Sequence, residues 1–401
     1  MNTPFKTKFT LCAAAIVTLL ANPSHAEQAQ SVGEMFSKSD FDLNFRYRYE
    51  TVDQDGIDKD AKASTLKTRL TWTSAEFSGF STLVEVDNVL VVGADDYNDT
   101  HNGKTEYPVV ADPDDTDLNQ LFLKYKSKNF TFTGGRQRIL LGNQRFVGGV
   151  GWRQNEQTYD GGRFQYKVND NVSFDYSYVA NVNRIFGPKD GAQPADWEGD
   201  FHLANAHWKL AKKHKFSVFA YLLDNEDNFS ASSNTFGVDY TGDFGPLKAS
   251  ASYAAQTDAG ENTNDYSANY YKAEFTTSVQ RFKLSAGVEV LGSDNGVGFA
   301  TPLATLHKFQ GFADKFLSTP ANGIEDFYIT AKTSISDVKL SLTYHDFSAS
   351  KGSASYGTEI DFAASYKFTK QIGGLLKFAS YDADEHATDT TKLWAMVTFK
   401  L

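Results

Sequence analysis

Apolar and polar residues alternate one by one through short segments along most of this chain, and a period of two admits strands while excluding amphipathic helices. In FDLNFRYRYE the set Phe41, Leu43, Phe45, Tyr47 and Tyr49 falls on one face, with Asp42, Asn44, Arg46, Arg48 and Glu50 on the other. STLKTRLTW repeats the split with Leu66, Leu70 and Trp72 against Lys67 and Arg69, and VSFDYSYVA sets Val172, Phe174, Tyr176 and Tyr178 against Ser173, Asp175 and Ser177. Segments beginning at Leu247, Tyr271, Phe282, Val338 and Tyr356 behave alike. Sending Tyr and Phe outward on so many strands suits a sheet facing lipid better than a water-soluble sandwich. The final TKLWAMVTFKL, with Leu393, Ala395, Val397, Phe399 and Leu401 on one face, suits closure against the first strand, which removes the open edge.

The connections between these segments alternate in length. Short polar turns such as KSKN at 126–129, VNDN at 168–171 and SISD at 334–337 are followed by long acidic or glycine-rich loops, among them Val91 to Asp117, Leu140 to Gln157, Asn183 to Gly199 and Gly292 to Gly323. This is the habit of bacterial outer-membrane barrels, with short turns in the periplasm and long loops outside. Counting hairpins predicts an all-β, antiparallel transmembrane barrel of about 18 strands. Residues 216–224 and 372–381 alternate poorly.

Residues 1–26 read as a secretory signal, with Lys6 and Lys8, an apolar run and a small-residue exit at Ser24-His25-Ala26. A short disordered segment at 27–38 and a barrel over 39–401 follow. The one cysteine, Cys12, lies within the signal, so a disulfide or thiol mechanism is excluded for the mature chain. Without the signal the chain carries 37 basic and 50 acidic residues, a net charge of −13, which argues against nucleic acid as a partner. An aromatic content of 14% agrees with the girdles of a barrel in a Gram-negative outer membrane, whose partners are lipid, lipopolysaccharide and the barrel assembly machinery, and which acts as a monomer.

Against that acidity, the stretch Gly134 to Arg163 holds Arg136, Arg138, Arg145, Arg153 and Arg163 among glycines. Guanidinium groups match carboxylates with a planar fork of donors, so the cluster points to an anion passing by. With Arg46, Arg48 and Arg69, eight of ten arginines precede residue 164 and give one side of a lumen most of its guanidiniums. Lys167 and other lysines extend the wall, opposed by acids such as Glu85, Asp87, Asp175, Glu289, Glu359 and Asp361 that pair across neighbouring strands. Arg136 and Arg138 share parity with Phe130 and Phe132, so turning them inward requires a bulge at Gly134-Gly135. Net acidity is assigned to outer loops such as DDYNDT and ADPDDTD.

Three stretches resemble the alginate-export family of outer-membrane barrels. They contain, in order, GRQ, QRFVG and WRQN; TPL with LHKFQGFADKFL; and STPANGIEDFYITAKTS. The resemblance implies an eighteen-stranded pore conducting an anionic uronate polymer, with Arg136, Arg145, Arg153 and Arg163 at or near positions lining a cationic passage. The expected function is passive passage of anionic carbohydrate or small anions. A structural or adhesive barrel and an outer-membrane hydrolase stand as alternatives, although no G-x-S-x-G elbow is present.

Other clusters carry less. Asp112, Asp114, Asp115 and Asp117 read as a solvated acidic loop, lacking the glycine and closing glutamate of a calcium-binding EF-hand. His202, His207 and His214 do not share a face, and neither metal nor cofactor is expected. In the long connection Gly292 to Gly323, Thr301 and Pro302 can start a helix continued by Leu303, Leu306, Phe309, Ala313 and Phe316. Folded inward, it would narrow the pore and present His307, Lys308 and Lys315 to an anion; packed outside, it would be a structural loop on the rim.

Overall fold

The computed structural model describes residues 28–401. The signal assigned to residues 1–26 lies outside them. Eighteen strands are β1 (Asp40–Gln54), β2 (Ala61–Thr73), β3 (Phe80–Asp96), β4 (Thr116–Lys126), β5 (Phe130–Gln137), β6 (Thr158–Lys167), β7 (Val172–Asn183), β8 (Asp196–Ala211) and β9 (His214–Asn225). They continue as β10 (Ser233–Asp243), β11 (Leu247–Asp258), β12 (Ser267–Val279), β13 (Phe282–Leu291), β14 (Ile324–Ile335), β15 (Val338–Ser348), β16 (Ser355–Lys367), β17 (Ile372–Ala383) and β18 (Thr390–Lys400). Each pairs antiparallel with its neighbours in sequence, and β18 closes on β1 from Asn44↔Lys400 to Gln54↔Thr390. Every interior backbone group can thus find a partner without an edge, the condition for crossing a bilayer with strands. Leu123, Phe132, Phe236, Phe275, Leu342 and Leu376 stand exposed on the outer face, as lipid contact requires.

The two segments that alternate poorly are strands nevertheless. In β9, Phe219, Tyr221 and Leu223 point inward and are buried, because Phe146 from the loop after β5 packs on Phe219 and Tyr221 at ring distances of 4.8 and 6.0 Å. An inner face that meets a folded loop instead of water is free to be apolar, and the alternation disappears. In β17, Lys377 lies inside against the rings of Trp152 and Phe312.

The start of the barrel is ordered, not disordered. Ser31 caps a helix at Val32–Ser37 by accepting from the Glu34 N–H, Phe36 stacks on Trp72 at 5.7 Å, and Met35 is buried with Ala29 and Ala75. Those apolar contacts at the turn between β2 and β3 outweigh the entropy of leaving the segment free.

The helix expected from Thr301 does not form; only Leu306–Lys308 makes a single 3-10 turn. Positive φ at Gln310, Gly311 and Asp314 breaks the helical path, and of the apolar residues with helical spacing Leu303, Ala313 and Phe316 are buried while Leu306 and Phe309 are only partly so. The connection does fold inward. Ala313 N–H donates to Glu359 at 2.7 Å and Phe312 N–H to Asp361 at 3.1 Å, both carboxylates on the inner face of β16.

Candidate functional site

Two loops meet inside the extracellular half of the barrel, residues 138–157 after β5 and 292–323 after β13. Their backbones pair: Gly148 N–H donates to the Leu303 carbonyl at 2.8 Å and Thr305 N–H to that of Gln144 at 3.1 Å. Glycine is required here, since a Cβ on Gly148 would lie 2.2 Å from Thr305 Oγ1. Ile139, Leu141, Val147 and Leu303 join a buried apolar cluster with Tyr270, Phe299 and the inner face of β9, which seats the loops on the wall.

Beside this apolar seam lies a knot of aromatic and ionic groups. Trp152 stacks on His307 at 4.5 Å and 7°, and the Arg48 guanidinium lies 4.4 Å above the Trp152 ring. His307 Nδ1–H donates to Asp314 at 2.7 Å, and Nε2 accepts from Lys377 Nζ at 2.7 Å. Asp314 also holds Lys392 at 2.9 Å and Arg153 at 3.4 Å. Burial pushes the His307 pKa down to about 3 against the pull of Asp314, with Lys377 adding to the fall, so the ring is neutral. His307 is therefore not presented to a solute as expected; it is a buried tie between loop and wall. Lys308 is exposed and donates to the Asn143 carbonyl at 2.8 Å, while Lys315, half-buried, donates to Thr390 Oγ1 and is pushed down to about 8 by burial and by Lys392.

On the wall formed by β1 to β4 the arginines point inward and nearly all are paired. Arg69 grips Asp87, its direct cross-strand partner, through two bonds of 2.6 and 2.5 Å, and reaches Glu156 at 2.9 Å. A bulge in β4 turns both Asn119 and Gln120 inward onto Glu85, which also pairs with Arg138. Arg138 further pairs with Glu156; burial raises that acid's pKa, but Lys67, Arg69 and Arg138 outweigh it and hold the carboxyl well below its ordinary range. Arg46 differs. Its guanidinium binds Gln154 Oε1 and the Gly151 carbonyl, both at 2.8 Å, and the Arg153 carbonyl, with no carboxylate among its bonds.

Asp112, expected in a solvated loop, is wholly buried and accepts from Arg48 at 3.0 Å and from the Gln154 N–H at 2.7 Å. Burial raises its pKa, but Arg48, Arg153 and that N–H prevail and keep it ionised. The loop between β3 and β4 carries this charge inward because Tyr97 and Val110 bury with Val52 and Ala61.

Arg145 meets Glu289 at 3.0 Å, Arg153 meets Glu50 at 3.2 Å, and Arg163 meets Asp175 at 2.6 Å. Arg136 keeps the outward parity of Phe132, since the register across Gly134-Gly135 is unbroken; it sits opposite Leu121 and Asp160 and pairs with Asp160. Arg138 comes inward without a bulge because β5 ends at Gln137. Lys167 lies at the periplasmic rim, exposed, with Asp170 at 2.7 Å. Trp152, Gln154, Glu156, Asp314 and Lys377 are site residues the sequence did not single out; Trp152 and Gln154 were nonetheless visible inside the WRQN motif.

A closed barrel with inward loops and a charged inner wall defines an outer-membrane channel of the porin type. The chain belongs to the alginate export family, whose profile matches residues 37–288, more than half of its length. Among solved structures it is similar to OccAB4 of Acinetobacter baumannii, with a TM-score of 0.74 at 14% identity over 90% of this chain and 98% of that one. It is similar also to OccK3 (OpdO) of Pseudomonas aeruginosa, with a TM-score of 0.68 at 13% identity over 93% and 98%. OpdK of the same organism, solved with vanillate, gives 0.70 at 11% identity over 92% and 99%. The search of curated proteins found no match.

Proposed function

We propose that this channel passes anionic carbohydrate, an alginate-like polyuronate or its oligomers, together with small anions, passively and as a monomer placed in the membrane by the barrel assembly machinery. The observation that carries the reading is Arg46, a half-buried guanidinium on the inner wall bound to an amide and to carbonyl oxygens but to no carboxylate. Its positive charge is held in place with no carboxylate bonded to it, Asp112 and Glu156 acting on it only through space, and a carboxylate in transit can meet it. Partly accessible Arg69, Arg138 and Arg163 flank the path with charges that their acids fix in orientation. The family's description as alginate export supports the same cargo. The test is the reversal potential of the purified protein in planar bilayers under a potassium chloride gradient. Preference for chloride is expected; clear preference for potassium overturns the reading and leaves the barrel intact.

A further inference from the structure

We propose that the inner wall of β13 to β16 at the periplasmic mouth is a binding site for polycarboxylates, taking an oligouronate before it reaches the constriction. The inference rests on the reading of the channel as a path for anionic carbohydrate. Two cavities of about 530 and about 370 Å³ open on this wall and adjoin through Lys339 and Ser365. These are the sizes of small-ligand sites. The first is lined by Lys283, Lys332 and Lys339, the second by Lys339, Lys367, Lys370 and Lys400, and the only acid in either is Asp337 at the turn between β14 and β15. Among the described residues none of these six lysines lies in a salt bridge with a carboxylate.

Their register makes that absence informative. Lys283 and Lys332 are direct cross-strand partners, an arrangement of like charges that costs stability and that no neighbouring acid relieves. Hydroxyls surround them: Lys332 sits opposite Ser341, and Lys339 opposite both Ser334 and Ser365. Ammonium groups are strongly hydrated point charges on flexible stems, so they hold carboxylates without the directional grip of a guanidinium fork. Adjacent hydroxyls supply the hydrogen bonds that sugar oxygens need. Weak, multivalent capture of this kind suits a solute that must move on. In the extracellular half, by contrast, Arg48, Arg138, Arg145 and Arg153 are already occupied by aspartate and glutamate.

The experiment compares wild type with K283Q/K332Q/K339Q in planar bilayers, adding trigalacturonate to one chamber at a time and reading the concentration that halves the current. For the wild type, block from the periplasmic side is expected at the lower concentration. In the triple variant that concentration should rise about tenfold, with block from the extracellular side unchanged. K283R/K332R/K339R, which keeps the charge, should retain block, and heat-modifiability on gels shows that each variant is folded. Equal block of wild type and folded triple variant overturns the site, while wild-type preference for potassium overturns the anion reading beneath it.

Discussion

In the extracellular half of the lumen Arg48, Arg138, Arg145 and Arg153 each lie against a carboxylate, whereas at the periplasmic mouth Lys283 and Lys332 face each other and Lys332 and Lys339 face serines. The first region is dry enough that Arg48 is 1% exposed; the second borders open cavities. Buried charges must be paired, and their partners fix loops in place. Solvated charges can stand unpaired and project a field. The same sign of side chain therefore builds a scaffold at one end and an attraction at the other.

The sharpest way to break this contrast is to remove an acid from the scaffold. Asp314→Ala strips the shared partner from Arg153, His307 and Lys392, and by the usual cost of an orphaned buried charge should destabilise the fold by about 3–5 kcal/mol. Thermal unfolding followed by heat-modifiability measures it, and single-channel conductance should rise as the loop loosens. Unchanged stability and conductance would mean that the knot does not hold the loop. Deleting Thr301 to Ser318 with a glycine bridge is the stronger form for conductance, which should increase in a properly inserted barrel.

His307 gives the scaffold a pH signature. Its folded pKa of about 3 lies below the ordinary value of 6.5, so between those limits the unfolded chain binds a proton that the folded chain refuses. Stability should fall as pH drops from about 6.5 towards 3, by at most about 1.4 kcal/mol per pH unit from this group. His307→Gln should flatten the profile of unfolding temperature against pH in that window. A profile identical to wild type would place the slope on other groups.

Arg46→Glu bears on field rather than framework. Reversing Arg46, a strand guanidinium bonded to no carboxylate among the described residues, should move the reversal potential towards zero, while Arg48→Gln, its paired neighbour, should chiefly lower stability. If both variants shifted selectivity equally, pairing would not be what separates the two roles. The smallest effect is at the mouth: Lys332→Gln removes a like-charge cross-strand pair and should raise stability by about 0.5 kcal/mol, read by the same unfolding assay.

The barrel was legible in the sequence because the period of two is local. Phe41 to Glu50 show both faces of a strand within ten residues, and turn length needs no knowledge of what lies across the lumen. The inward directions of Arg46, Arg69 and Arg163 followed from the same parity. Where parity ends, so does that reading: Arg138 turned inward only because β5 stops at Gln137, and Asp112 left its acidic loop to meet Arg48, 64 positions away in sequence. The loop from Thr301 to Phe316 has helical spacing, yet its backbone took the path that let Ala313 and Phe312 donate to Glu359 and Asp361. Sequence by itself determined the sheet, its closure and the sign of its charges, since these depend on neighbours in the chain. Which charges are cancelled and which remain free depends on contacts between residues far apart in sequence, and only the tertiary structure decided it.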